Sequence, residues 1–452
     1  MTKSMTEGSP VKLILGFSLP LLLGNILQQA YNMIDAAIVG RVLGADALAA
    51  VGASSSVQFL VLGFCIGTCA GFGIPMAKYF GARQPDRLRS TVFHSYLLTG
   101  FFAVMLTAIT CLLCGNIIDI MKVTGNIRKD AYTYLFIILA GIPFTLFYNL
   151  LSSMLRAIGD SKTPFIFLAV SAVLNIILDF TFIVIIPLGC AGAALATIIA
   201  QACSGIACFV VIQKKYPLLK FTKDICKFNS YALRELLIMG VPMGLQYSIT
   251  AIGAMVMQSA NNSLEDIYIS AFAVTSKLKQ LTLCPFDAIA TGVSVFSSQN
   301  LGAGNTDRVK KGIIRGTAIN TAYGLIIGIV LIFCGRSLSL MFLDSSETVV
   351  LDACGKYMKC VGYFFWSLGI LNTCRMSIQG IGFSGLAIFS GVLEMFARIF
   401  VSRKFVAEYG FTAICYTDQA AWIVAMLYCA IMCIVCVKKA SHKNIIHEKI
   451  KV

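Results

Sequence analysis

About twelve apolar runs, each long enough to cross a bilayer as a helix, divide this chain. They begin near Leu13, Leu48, Thr91, Ala131, Phe165, Cys190, Leu236, Ile267, Gly312, Leu351, Leu386 and Ala413. Backbone amides in lipid have no water to bond to, so such runs must satisfy their hydrogen bonds internally, as helices. With 58% hydrophobic and 13% charged residues, the chain would have nowhere to place its apolar surface in water. The expected fold is all-α and polytopic, with twelve transmembrane helices.

The runs fall into two sets of six. Gly81-Ala82-Arg83-Gln84-Pro85-Asp86-Arg87 returns 221 residues later as Gly302-Ala303-Gly304-Asn305-Thr306-Asp307-Arg308. Leu19-Pro20 matches Val241-Pro242, Ile158-Gly159 matches Ile381-Gly382, and Gly189 matches Gly410 at similar offsets. An even number of spans per half makes the repeat parallel, with both halves entering from the same side. The expected organisation is an N-lobe over 1–213, a cytoplasmic linker over 214–234, a C-lobe over 235–440 and a cytoplasmic tail over 441–452, around a central cavity.

Net charge is +15, from 36 Lys and Arg against 21 Asp and Glu. The excess collects at the N-terminus, in the even-numbered loops and in the tail, with Arg83, Arg87, Arg89, Arg156, Lys162, Lys214, Lys215, Lys220, Lys223, Arg308, Lys310 and Lys311 among them. Fewer basic residues, such as Arg41, Lys122 and Arg128, mark the other side. By the positive-inside rule both termini are cytoplasmic, and the charge is explained by topology and anionic lipid. Nucleic-acid binding would ask for clustered basic residues with aromatic interleaving, which is missing. The polar stretch ahead of the first span lacks a cleavage site, so that span doubles as the insertion signal.

The 17 cysteines lie almost entirely inside apolar runs and read as reduced packing residues. Three histidines, none in a His/Cys cluster, give a metal centre little to stand on. A nucleophile with its base, or a His-Glu-x-x-His set, is also missing, so an intramembrane enzyme is not expected. No cofactor is implied.

Ionisable groups inside spans are expensive and point to function. Asp35 follows Tyr31 by four residues on the first span, with Gln28 one turn back, and Pro20 in the same span permits a bend. Asn175 and Asp179 repeat the four-residue spacing on the fifth span. Two such helices facing each other could surround a hard cation such as Na⁺ with oxygen ligands, or share a proton. Asn149 and Thr197 could complete the shell. The second half does not repeat this set: the offset from Asp35 lands on Val256 or Met257, while Glu394 and Arg398 stand opposite Asn175 and Asp179 and can pair with each other. Lys277, Lys279 and Asp287 also lie within the eighth span, with roles the sequence leaves open.

In order and spacing these residues resemble the multidrug and toxic compound extrusion transporters, the MATE family, in its bacterial branch. The resemblance covers essentially the whole chain. It rests on Pro20, on Tyr31 and Asp35 ahead of Val39-Gly40, on Arg156-Ala157-Ile158-Gly159-Asp160 and on Leu174-Asn175-Ile176-Ile177-Leu178-Asp179. Gly192-Ala193-Ala194-Leu195-Ala196-Thr197, Gln299-Asn300-Leu301-Gly302-Ala303-Gly304 and Gly391-Val392-Leu393-Glu394-Met395-Phe396-Ala397-Arg398 carry the rest. The resemblance implies an exporter of cationic or amphipathic small molecules in a cell membrane, working in exchange for Na⁺ or H⁺; the chain is expected to act as a monomer. The resemblance maps a cation-coupling site onto Tyr31, Asp35, Asn149, Asn175, Asp179 and Thr197, with Gln28 near the cargo; Pro20 is the expected hinge, and Asn32, Met257, Glu394 and Arg398 are expected beside Gln28 in the cargo cavity. Acidic residues that some members carry on the seventh span have no counterpart at depth here, which speaks against a second cation site in the C-lobe. The rival reading is a flippase for lipid-linked saccharide precursors, which needs several basic residues at depth. Lys277, Lys279 and Arg398 are the candidates the sequence offers.

Overall fold

A computed structural model describes residues 4–121, 123, 125, 127–222 and 226–451, with side chains as far as residue 442. Lys122, Lys223 and most of the expected tail therefore lie outside the described residues or side chains. The described residues are almost entirely helical and include no strand: α1 (Pro10–Val42), α2 (Ala45–Gly81), α3 (Pro85–Leu112), α4 (Cys114–Ile120), α5 (Ile127–Ala140), α6 (Ile142–Ala157), α7 (Lys162–Asp179), α8 (Cys190–Lys215), α9 (Ser230–Asn261), α10 (Asp266–Gly302), α11 (Thr306–Ser339), α12 (Thr348–Gly380), α13 (Ser384–Tyr409) and α14 (Phe411–Lys451). A π-helical turn, Phe180–Ile185, continues α7 directly after Asp179.

Ten of these helices are long and apolar enough to cross a membrane, and α5 with α6, bent by 44°, makes an eleventh. The one run left over, the tenth, beginning near Leu351, corresponds to α12, which has the length, at 33 residues, but carries Asp352, Lys356, Lys359 and Arg375. Large apolar side chains such as Phe101, Phe333 and Leu112 are exposed while Asn320, Thr373 and Ser377 are fully buried. That inversion of the water-soluble pattern suits a helix bundle whose solvent is lipid.

The duplicated motif folds as the same turn twice. Arg83 and Gly304, 221 residues apart, both take the left-handed conformation, at φ 53° and 80°. Glycine adopts it freely and arginine does not, so the turn geometry is retained in the first copy despite its cost. Each turn feeds a helix with an acid in its first turn, Asp86 in α3 and Asp307 in α11, favourably placed against the helix dipole.

Contacts divide the chain into two compact units, one built on Leu23–Gly244 and the other on Met5–Leu22 with Leu245–Val452. The divisions fall inside α1 and α9, each within one turn of a helix-interior proline, Pro20 or Pro242. Side chains account for this. The Met5 amide donates to Gln299 Oε1 at 2.9 Å, and Asn300 Nδ2 and Arg308 Nη2 donate to the Met5 carbonyl at 3.1 and 3.3 Å. In the first unit, α9 is drawn onto α2, where Gly71 meets the backbone of Met239 and Gly240. The linker ahead of α9 is pinned in the same unit: Arg89 Nη2 donates to Thr222 Oγ1 (2.8 Å), and the Asn229 amide donates to Nε2 of the buried His94 (2.8 Å).

Within the second unit, α11 and α12 touch backbone to backbone. A Cβ on Gly328 would lie 2.6 Å from the Gly362 carbonyl oxygen, and one on Gly362 the same distance from that of Gly328. Small residues allow this approach, and dispersion contacts along it hold the pair where lipid supplies no hydrophobic drive. Gly328→Ala is accordingly expected to destabilise the protein by about 1–3 kcal/mol. Thermal unfolding in detergent measures it, and an unchanged transition would show that the helices can separate without loss.

Candidate functional site

The first unit brings together the residues that the sequence separates. The Asp35 and Asp179 carboxyl groups, on α1 and at the end of α7, lie within hydrogen-bonding reach of each other. Asp179 is fully buried and Asn175 nearly so, while Asp35 and Tyr31 are half-buried. With the Asn175 amide oriented to satisfy both neighbours, Nδ2 donates to Asp179 Oδ2 at 3.2 Å and Oδ1 accepts the Thr197 backbone N–H at 3.2 Å. The carboxylate is therefore held from its own helix and, through the amide, from α8. Asp35 Oδ1 and Asp179 Oδ1 remain as buried oxygens without hydrogen-bond partners.

Two carboxylates this close and out of bulk water repel strongly when both are charged. A cation or a proton between them removes the repulsion, and two carboxylates flanked by neutral oxygens suit a hard monovalent ion. The remaining expected ligands are less direct. The Thr197 hydroxyl donates to the Ala193 carbonyl (3.1 Å) and Asn149 Nδ2 to the Thr145 carbonyl (2.8 Å), so both are tied to their own helices. The Tyr31 and Gln28 side chains lie within reach of each other, and Asn32 is exposed.

Tyr134 was not foreseen. It is buried on α5, beside Gln58 and within electrostatic reach of Asp35, Tyr31 and Asp179. In the sequence it is one more aromatic residue in an apolar run, and no spacing relates it to Asp35. The π-helical turn gives Asp179 a second distinction, because such turns interrupt regular hydrogen bonding and recur at functional sites.

The second unit holds a different chemistry. Lys279 Nζ donates to Asp418 Oδ2 (2.5 Å) and to the Tyr357 hydroxyl (3.0 Å), and Arg398 Nε donates to Asp418 Oδ1 (2.9 Å). Arg398 Nη1 also pairs with Glu394 Oε2 (3.4 Å), whose other oxygen accepts from Arg375 Nη1 (2.7 Å). Glu394 and Arg398 do pair, as their four-residue spacing allows, but both are buried within this chain of ion pairs rather than open to cargo. Met257 also needs correction. It is 2% exposed and packed within the hydrophobic core of its unit. Arg375 and Asp418 escaped the sequence reading, although each is an ionisable residue within a long helix.

The pattern now has relatives. A profile of the MatE family matches residues 20–181 and again residues 242–403, one match in each half. The chain belongs to the MatE family. Its relatives include the probable multidrug resistance protein YpnP of Bacillus subtilis (strain 168), 30% identical over 81% of this chain and 81% of that protein. The multidrug export protein MepA of Staphylococcus aureus (strain NCTC 8325 / PS 47) is 23% identical over 86% of this chain and 82% of its own length. Among solved structures, the outward-facing conformation of a multidrug resistance MATE family transporter of the MOP superfamily superposes with a TM-score of 0.86 at 20% identity, covering 97% of both chains. This MatE chain is thus a multi-pass membrane protein of a transporter family. The relatives do not support a flippase of pyrophosphate lipids, and of the basic residues within the helices Lys279, Arg398 and also Arg375 are each paired with carboxylates, which leaves Lys277, exposed on α10, as the one expected candidate not so paired among the described residues.

Proposed function

We propose that this MatE protein is a secondary active multidrug efflux transporter, exporting organic cations and amphipathic compounds in antiport with Na⁺ or H⁺ by alternating access. It acts as a monomer in a prokaryotic cell membrane with both termini cytoplasmic. The observation that carries the reading is the opposed pair Asp35 and Asp179, each with a buried oxygen lacking a partner. Cargo enters from the cytoplasmic side. A cation taken from outside settles between the carboxylates, α1 bends near Pro20, and cargo leaves outward. The cation needs only to favour one conformation by a few kcal/mol to shift the population strongly. The lobes, linker and tail outlined from the sequence serve as the parts of this machine, with the N-terminal unit doing the coupling.

Support comes from the names of the relatives, multidrug resistance and multidrug export proteins, and from the units dividing near Pro20 and Pro242, where bending is least costly. Proteoliposomes loaded with ethidium provide the test, with Na⁺ and pH gradients imposed separately. Efflux driven by one of the two gradients is expected. Dye movement that ignores both gradients would overturn antiport.

A further inference from the structure

In α10, Asp287 lies about one turn from the helix midpoint, so it sits near the middle of the span. It is nevertheless exposed. A carboxylate at that depth does not face lipid, because the cost of leaving it there is prohibitive, and its open side therefore meets water. Asp418 and Glu394 differ from it: both are buried and bound directly to basic side chains.

The surroundings hold Asp287 in place. Asn372 Nδ2 donates to Asp287 Oδ1 (3.2 Å), and Asn372 Oδ1 accepts from Arg375 Nη2 (2.5 Å). Arg375 is committed further to Glu394 (2.7 Å). Asp287 is thus the exposed negative end of an otherwise internally paired series, Arg375, Glu394, Arg398, Asp418 and Lys279. The backbone at this point is also fixed. Pro285 lies inside the continuous α10, the Tyr323 hydroxyl donates to the Thr282 carbonyl (3.0 Å), and Asn320 Nδ2 donates to the Phe286 carbonyl (3.2 Å). Side chains of α11 thereby tie α10 down on both sides of the proline, next to Asp287. A fixed, water-facing carboxylate that makes no direct ion pair among the described residues, with Arg375 acting on it only from beyond Asn372, is built to receive a positive group.

We propose that Asp287 is the residue through which the C-terminal unit selects cargo for positive charge, receiving the cationic group of an amphipathic organic cation. This rests on the efflux reading and adds to it a charge filter outside the Asp35–Asp179 pair. The ligand class is an organic monocation. Asn372 bonds to both the Arg375 guanidinium and the Asp287 carboxylate and links the two.

The test uses the full-length protein in proteoliposomes with two dyes, ethidium as the permanent cation and Nile red as the uncharged amphiphile, read by fluorescence for binding and efflux. Asp287→Asn keeps the size of the side chain and an oxygen for Asn372. It is expected to weaken ethidium binding about tenfold or more with Nile red binding unchanged, while Asp287→Glu retains most of the ethidium affinity. Wild-type ethidium affinity in Asp287→Asn would overturn the proposal, as would an equal loss of both dyes, which marks a structural role. In either of those cases the efflux reading stands if the wild-type protein exports ethidium under a gradient. Failure of the wild-type protein to bind or export ethidium overturns both.

Discussion

Asp179→Asn and Asp35→Asn are each expected to reduce gradient-driven efflux to a few per cent of the wild-type rate while leaving the protein folded and able to bind cargo. The substitution is nearly isosteric. An asparagine at 179 still offers an oxygen to the Asn175 amide, which donates to Asp179 Oδ2 at 3.2 Å in the unmodified protein. What disappears is half of the charge that makes a cation welcome between the two groups. With both carboxylates present the empty site is electrostatically strained, and uptake of Na⁺ or H⁺ relieves it. With one carboxylate replaced that relief vanishes, and with it the difference in cation affinity between conformations on which antiport depends. A loss of about 1.4 kcal/mol in that difference already costs a factor of ten in the population ratio. The measurement is ethidium efflux from proteoliposomes under the effective gradient, with dye binding as the control for folding. Full cation-dependent efflux in both variants would exclude this pair as the coupling site.

That pair was legible in the sequence for a physical reason. A carboxylate in an apolar span has few ways to be tolerated, so Asp35 and Asp179 stand out without any knowledge of the fold, and helical spacing adds Tyr31 and Asn175. The spacing rule ends at the helix. Tyr134 and Gln58 approach from α5 and α2, and only packing puts them beside the pair. Thr197 contributes through its backbone N–H, which no side-chain argument would have selected.

In the second half the offset rule misled for the same reason. Met257 stands where Asp35 would recur, yet α9 turns that position into the core. Duplicated helices keep their order and their turns, as Arg83 and Gly304 show, while the faces they present are set by whichever side chains each copy must bury. The unit divisions were also out of reach. Linker composition pointed to 214–234, whereas contacts part the chain beside Pro20 and Pro242, because Met5 and Gly240 are held by residues far away in sequence.

Asp418 is the clearest case of a residue whose importance is purely three-dimensional, and it yields the largest expected effect on stability. Lys279, 139 residues away, and Arg398, on the preceding helix, both reach it, at 2.5 and 2.9 Å. All three side chains are almost completely enclosed, with 6% of Asp418, 6% of Arg398 and 14% of Lys279 exposed. Asp418→Asn leaves two enclosed cations facing one another around a neutral amide, and removal of one member of such a set typically destabilises by about 3–5 kcal/mol. Arg398 keeps Glu394 as a second partner, so the burden falls mainly on Lys279. Lys279→Met in the Asp418→Asn background should therefore recover part of the loss, with a coupling energy of about 1–3 kcal/mol across the double-mutant cycle. Unfolding of the four proteins in detergent measures it. Additive losses would mean that the lysine and the carboxylate stabilise the unit independently, and that the ion-pair chain is a set of neighbours instead of one electrostatic unit.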